Sequence, residues 1–254
     1  MSINRRFTLW ILALLVPPLA IYLAVANATG TWERVKTKPQ IHTLRVTGSA
    51  TKRIVSDLIE WKAEIGTLES DRTAAYKSLK AHVNETRAYL VKHGVPATDI
   101  RVSSVSSYEV IEHETVVVGE QRVQRRVSRG WSTEQTISVR SHDIAVVERV
   151  SREVTDLLEQ GVPITSRPPQ YHYTKLSEVK VDMLASASED ARTRADRIVK
   201  AAGGKGIQKL VNADMGVINI NPANSTSTSW EGNNDKSSLE KDIITIVHLS
   251  YELP

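Results

Sequence analysis

The sequence predicts an α+β protein in which antiparallel sheets are covered by three helices, in the order ββα-ββα-βα-ββ, preceded by one N-terminal membrane segment. Three observations carry this expectation. Several runs alternate apolar and polar residues with period two, the pattern of half-buried strands. Three others repeat apolar residues at helical spacing and end on glycine. Near the N-terminus an uncharged run is long enough to cross a bilayer.

Arg5 and Arg6 precede an uncharged stretch at 7–26, whose 20 residues would span about 30 Å as a helix, the thickness of a hydrocarbon core. Positive charge first keeps the N-terminus inside. Trp10 and Trp32 lie near the two ends, where amphipathic rings favour membrane interfaces, and so support a retained signal-anchor. Pro17, Pro18 and the small residues Ala24, Ala26 and Ala28 also fit a signal peptide cleaved after Ala26 or Ala28. Residues 1–30 are therefore read as signal-anchor or signal peptide, 31–40 as a linker and 41–254 as one body. Either way the body is expected outside the inner membrane, tethered as a single-pass protein or released as a soluble periplasmic one.

Composition agrees with that placement. Hydrophobic residues at 41% and charged residues at 24% are ordinary for a globular chain. A single Phe leaves the core to Val, Ile, Leu and Ala. No cysteine is present, which removes disulfides, thiolate nucleophiles and thiolate metal sites together. Setting Arg5 and Arg6 aside leaves 31 basic against 29 acidic groups, too balanced for a nucleic-acid binder.

The body opens with a strand at 41–49, followed by one in which Ile59, Trp61, Ala63 and Ile65 alternate with Glu60, Lys62 and Glu64. Ser70 or Asp71 caps a helix whose apolar face is Ala75, Leu79, Val83, Thr86 and Leu90, ended by Gly94 and Pro96. Stretches 100–114 and 123–140 form a long hairpin around Gly119. Ser141 opens a second helix with Ile144, Val147, Val150, Val154 and Leu157 inward, closed at Gly161. After a short strand at 171–176, Ser177 begins the longest helix, with Val181, Leu184, Ser188, Ala191, Ala195, Ile198 and Ala202 as its buried stripe. Gly203 and Gly204 close it, and final strands at 207–220 and 242–253 flank a polar, flexible loop at 221–238.

No catalytic, metal or cofactor set emerges. The seven histidines show no HExxH or close ligand pair. In Glu112-His113-Glu114 the two acids share one strand face and the histidine the other, so one metal cannot easily take all three. Gly203-Gly204-Lys205-Gly206 follows a helix and precedes a strand, the reverse of a phosphate loop. Asp190 and Asp196 fall on different faces of a helix, and no GxSxG elbow occurs. The segment carrying Arg122, Arg125, Arg126 and Arg129 is the most suggestive feature. Its arginines either protect an edge strand from mispairing or contact a second subunit or anionic lipid headgroups.

The run Leu44-Arg45-Val46-Thr47-Gly48-Ser49, ahead of an alternating strand, resembles the opening of the SIMPL-domain family of bacterial periplasmic proteins. His93-Gly94-Val95 through Asp99-Ile100-Arg101, then Arg129-Gly130-Trp131, then Asp190-Ala191-Arg192 to Ala195-Asp196 resemble later landmarks of that family, in the same order. Ser56-Asp57 departs from the Pro-Asp often found there, and the final loop is unusually polar. The resemblance implies an exported, envelope-associated protein linked to stress, without established catalytic residues, in a family where some members build large ring-like oligomers. The expectation is thus a non-enzymatic, self-associating envelope protein supporting stress resistance or envelope organisation. A periplasmic module binding a small ligand or partner peptide between helix and sheet is the alternative, and a hydrolase the third reading.

Overall fold

The computed structural model describes residues 42–118 and 121–254, together with Tyr22 and Val25, which are helical and exposed. The expected membrane segment with Arg5, Arg6, Trp10 and Trp32, the 31–40 linker and the turn at Gly119 lie outside the described residues. Among the described residues no helix is long and apolar enough to cross a membrane.

The body is α+β with three helices and two antiparallel sheets. Its strands are β1 (Thr43–Val55), β2 (Leu58–Glu69), β3 (Ile100–Val102), β4 (Ser106–Val118), β5 (Gln121–Ser141), β6 (Ile164–Ser166), β7 (Gln170–His172), β8 (Leu210–Pro222) and β9 (Glu240–Glu252). Its helices are α1 (Arg72–Lys92), α2 (Ile144–Glu153) and α3 (Leu176–Ala201). The order is therefore ββα-βββα-ββα-ββ. The expected 100–114 strand is broken at Ser103, Ser104 and Val105, and the three-residue strands β6 and β7 flank Arg167, Pro168 and Pro169.

The smaller sheet has the order β1-β9-β8 and is covered by α3. In the larger one β5 is central, with β2 on one side and β3 and β4 in succession on the other; β6 and β7 pair with the far edge of β2. Helices α1 and α2 cover this sheet. The alternation in β2 does what its period predicts: Ile59, Trp61, Ala63 and Ile65 are fully buried against Leu79, Val83, Leu90, Val147 and Val150. Asp71 caps α1 by accepting a bond from the Ala74 N–H at 2.9 Å, and Ala75, Leu79, Val83, Thr86 and Leu90 are its buried residues.

Ser141 is the last residue of β5 instead of a helix start, and Asp143 caps α2 through the Val146 N–H at 3.2 Å. The helix then tightens into a 3₁₀ segment, Val154–Gln160, and stops at Gly161, whose φ of 84° is left-handed. In α3 the expected stripe is displaced at both ends: Val181 is 69% exposed and Ile198 51%. The buried line is Val179, Met183, Ala187, Ala191, Ala195 and Val199, a spacing of four throughout. Each such step turns about 40° past a full helical turn, so the contact line winds around the helix as it follows the twisted sheet. Gly48 explains why a V-T-G strand lies here, since a Cβ on it would come 2.2 Å from the Ala187 carbonyl oxygen. Helix and strand touch backbone to backbone at that point.

The two sheets are joined at Ser56 and Asp57, between β1 and β2. The Ser56 N–H donates to Leu239 O at 2.9 Å and the Asp57 N–H to His172 O at 3.0 Å. The Asp57 carboxylate accepts from the Thr174 N–H at 2.8 Å and its hydroxyl at 2.6 Å, which holds the approach to α3. His142 Nδ1 donates to Asp57 O at 2.6 Å. Burial works against ionisation of Asp57, but the two Thr174 bonds outweigh it and hold the carboxyl below its ordinary 3.8. A depressed carboxyl stabilises the fold above its unfolded value, and that contribution disappears as pH falls through its folded value. Asp57→Ala should therefore cost about 2 kcal/mol in urea unfolding at neutral pH. The gap between variant and wild type should narrow as pH falls through the folded value, below the ordinary 3.8; an equal gap at acid and neutral pH would contradict the assignment.

Candidate interaction site

β2 ends opposite Trp131, but β5 and β4 continue past it as a two-stranded arm. The arm departs at a bulge, where the register shifts between Val110 and Ile111 opposite Gly130 and Ser128. Gly130 has φ 114°, and a Cβ there would lie 2.3 Å from the Glu69 carbonyl oxygen. Both the backbone turn and the close approach require glycine. At about 3.3 Å per residue, the paired strands beyond Gly130 reach roughly 30 Å from the sheet. Helical cover stops at their base, where the Arg72 guanidinium lies 5.0 Å from the Trp131 ring centroid.

Pairing and pleat fix which side chains share a face. Glu112, Glu114 and Val116 lie with Val123, Arg125, Val127 and Arg129; Ile111, His113 and Thr115 lie with Arg122, Gln124, Arg126 and Ser128. The four arginines singled out in the sequence are thus together on one arm but divided between its faces. Arg129 is occupied: Nε donates to Glu112 at 2.7 Å and Nη2 to Glu114 at 2.7 Å. These bonds occupy the acids on either side of His113, and no group of three or more metal-ligating side chains occurs among the described residues. Arg122, Arg125 and Arg126 have no ion-pair partner among the described residues.

Charge is segregated by strand. β4 carries Glu109, Glu112 and Glu114 and no Lys or Arg, whereas β5 from Gln121 to Gly130 carries four arginines and no acid. Among the described residues β4 has no partner on one backbone edge along its length, and β5 has none on one edge from Gln121 to Gly130. The acids as a set went unread in the sequence, although an acid-only run facing a base-only run across Gly119 was there to be seen.

The other motifs resolve into structural roles. Gly203 (φ 81°) and Gly204 cap α3 through bonds to Lys200 O and Val199 O. Asp190 accepts from the Ser49 N–H and Arg194, while Asp196 pairs with Lys200. The 221–238 stretch is a loop only from Ala223, because Asn221 and Pro222 belong to β8. The outer face of the smaller sheet brings Thr47, His248 and Asp214 into register, with Thr47 Oγ1 2.9 Å from His248 Nδ1. Asp214 makes no bond to that ring, so the row lacks the orienting link of a hydrolytic triad.

The arm's exit is directly testable. Gly130→Ala should destabilise the body by about 3 kcal/mol, from positive φ and the clash with Glu69 together. A urea midpoint equal to wild type would refute the constraint.

No curated protein matches the chain. Among solved structures, an uncharacterized conserved protein from Listeria innocua aligns at 14% identity, over 78% of this chain and 91% of that one, with a TM-score of 0.17. The model of the SIMPL family, described as a protein of unknown function (DUF541), matches residues 44–241. That span runs from β1 through the junction, the arm and α3 into β9, and the chain belongs to the SIMPL family.

Proposed function

We propose that this protein is a non-enzymatic, self-associating component of the bacterial envelope, whose copies join through the β4–β5 arm. The observation that carries the reading is the arm itself. A two-stranded ribbon without helical cover is marginally stable alone in water. This one has two open edges, one lined by acids and the other by arginines. Setting the β4 edge of one copy beside the β5 edge of the next extends the sheet and brings Glu109, Glu112 and Glu114 toward Arg122, Arg125 and Arg126. Such pairing is head-to-tail, and it propagates until it closes into a ring or runs on as a filament. Stress resistance or envelope organisation is the role that fits such an assembly.

The 7–26 stretch, with Arg5 and Arg6 before it and Trp10 and Trp32 near its ends, supports a body on the periplasmic side of the inner membrane. If it is retained, assembly gathers many anchors and attachment becomes multivalent. If it is cleaved, the same assembly is soluble in the periplasm.

The full chain, recovered from the envelope fraction of expressing cells, should elute above monomer mass in size-exclusion chromatography with light scattering. The Arg125→Glu/Arg126→Glu variant should shift toward monomer, because its β5 edge then meets acids with acids, and high salt should weaken wild type in the same direction. A strict monomer at all concentrations, an unchanged mass in the double variant, or recovery in the cytosol would overturn the proposal.

A further inference from the structure

A second feature lies on the face of the smaller sheet that α3 does not cover. β8 bulges between Met215 and Ile218, and Gly216 presses so close to the neighbouring strand that a Cβ would come 2.6 Å from Ile246 O. From the far side, residues 223–239 fold back over the sheet. Between bulge and loop is a cleft of about 510 Å³, within the size range of small-molecule sites. Met215, Val217, Ile246 and Trp230 supply its apolar wall, and Trp230 and Met215 remain 89% and 71% exposed. Large apolar side chains so open to water at the rim of a concave site are unusual in a folded body.

Asn219 gives the cleft its chemistry. It is fully buried, and its Oδ1 accepts the Ser229 N–H at 2.9 Å and the Asn233 N–H at 3.0 Å. Two backbone donors on one atom settle the amide's orientation, because only the oxygen can accept them. The other atom is therefore the –NH₂ group, and Nδ2 is buried without a hydrogen-bond partner among the described residues. Nearby Asn221, equally buried, has both ends used: its Nδ2 donates to Ser227 O and its Oδ1 accepts from Asn233 Nδ2. The loop is thus held down by two asparagines, and Asn219, which borders the cleft beneath the loop, keeps an unused donor. A buried donor without an acceptor is costly, and an incoming acceptor removes that cost.

The wall includes one carboxylate, Asp214, and no Lys or Arg, so anions are disfavoured. We infer that this cleft is a binding site for a neutral, flat, ring-containing molecule with a carbonyl-type acceptor, its ring against Trp230 and its acceptor on Asn219 Nδ2. The site is separate from the arm and does not depend on assembly. It also differs from the helix–sheet interface expected to hold a ligand, since it lies on the face of the smaller sheet away from α3.

Prodan, a neutral naphthyl ketone whose emission shifts to the blue in apolar surroundings, tests the site. Titrated into the full chain in detergent, with detergent alone subtracted, it should bind saturably. Trp230→Ala, at an exposed position, should weaken binding about tenfold. Asn219→Asp keeps an acceptor for both loop N–H groups but turns the donor into a second carboxyl oxygen in a buried site, so its fold is checked by unfolding first; folded, it too should weaken binding about tenfold. Dimethylaminonaphthalene, lacking the ketone, should bind wild type correspondingly less tightly, a comparison that needs no variant to fold. Absence of saturable binding overturns the inference, as does equal affinity of wild type and either folded variant, or of both probes.

Discussion

Two residues between β1 and β2 set the geometry of the whole body. Ser56 and Asp57 carry the chain from one sheet to the other, and five hydrogen bonds converge on them from β7, its following loop, the start of α2 and the segment before β9. The Asp57 carboxylate is central, since its bonds to Thr174 fix where α3 begins and so how it crosses β1 at Gly48. Lys241 adds a second tie: its buried Nζ donates to Tyr171 O and to Asp235 O, joining β7 to the loop over the smaller sheet. Burial lowers the lysine's affinity for its proton. A charge withdrawn from water in this way tolerates few alternative positions for the two sheets.

With the sheets fixed, the arm becomes the exposed element of the larger one. Helices α1 and α2 bury one face of β2 and of the second half of β5, and among the described residues no helix covers the first half or its β4 partner. Gly130 lets the ribbon leave at that boundary without lifting from Glu69. Natural sheets blunt open edges with charge. Here each strand of the ribbon carries one sign, so the same charges that repel an identical edge attract the complementary one. Protection against random pairing and selection of a copy are then the same device.

Where periodicity is long, the sequence was legible. α1 buries the five residues its spacing indicated, and β2 the four apolar members of its alternation. Three residues are too few for periodicity, which is why β6 escaped it and the strand expected at 171–176 runs instead over Gln170–His172. The α3 stripe was drawn for a straight contact line, and the twist of the sheet, set by strands distant in sequence, displaces it at Val181 and Ile198. The arginines were visible as a cluster, and the period of two that marks the strand also divides Arg122 and Arg126 from Arg125 and Arg129. Asn219 fell inside the strand read at 207–220; only the loop's return over β8 buries it and leaves one end of its amide unused. Long-range closure of that kind has no local signature.

If copies join through the arm, the backbone N–H groups on its outer edges change partner from water to protein. Hydrogen exchange of the full chain at high and low concentration reads this most directly. Slowed exchange at high concentration across 106–118 and 121–130, lost on dilution while β2 and α1 stay unchanged, is the result this account predicts. Exchange in the arm that is fast and identical at every concentration would contradict it.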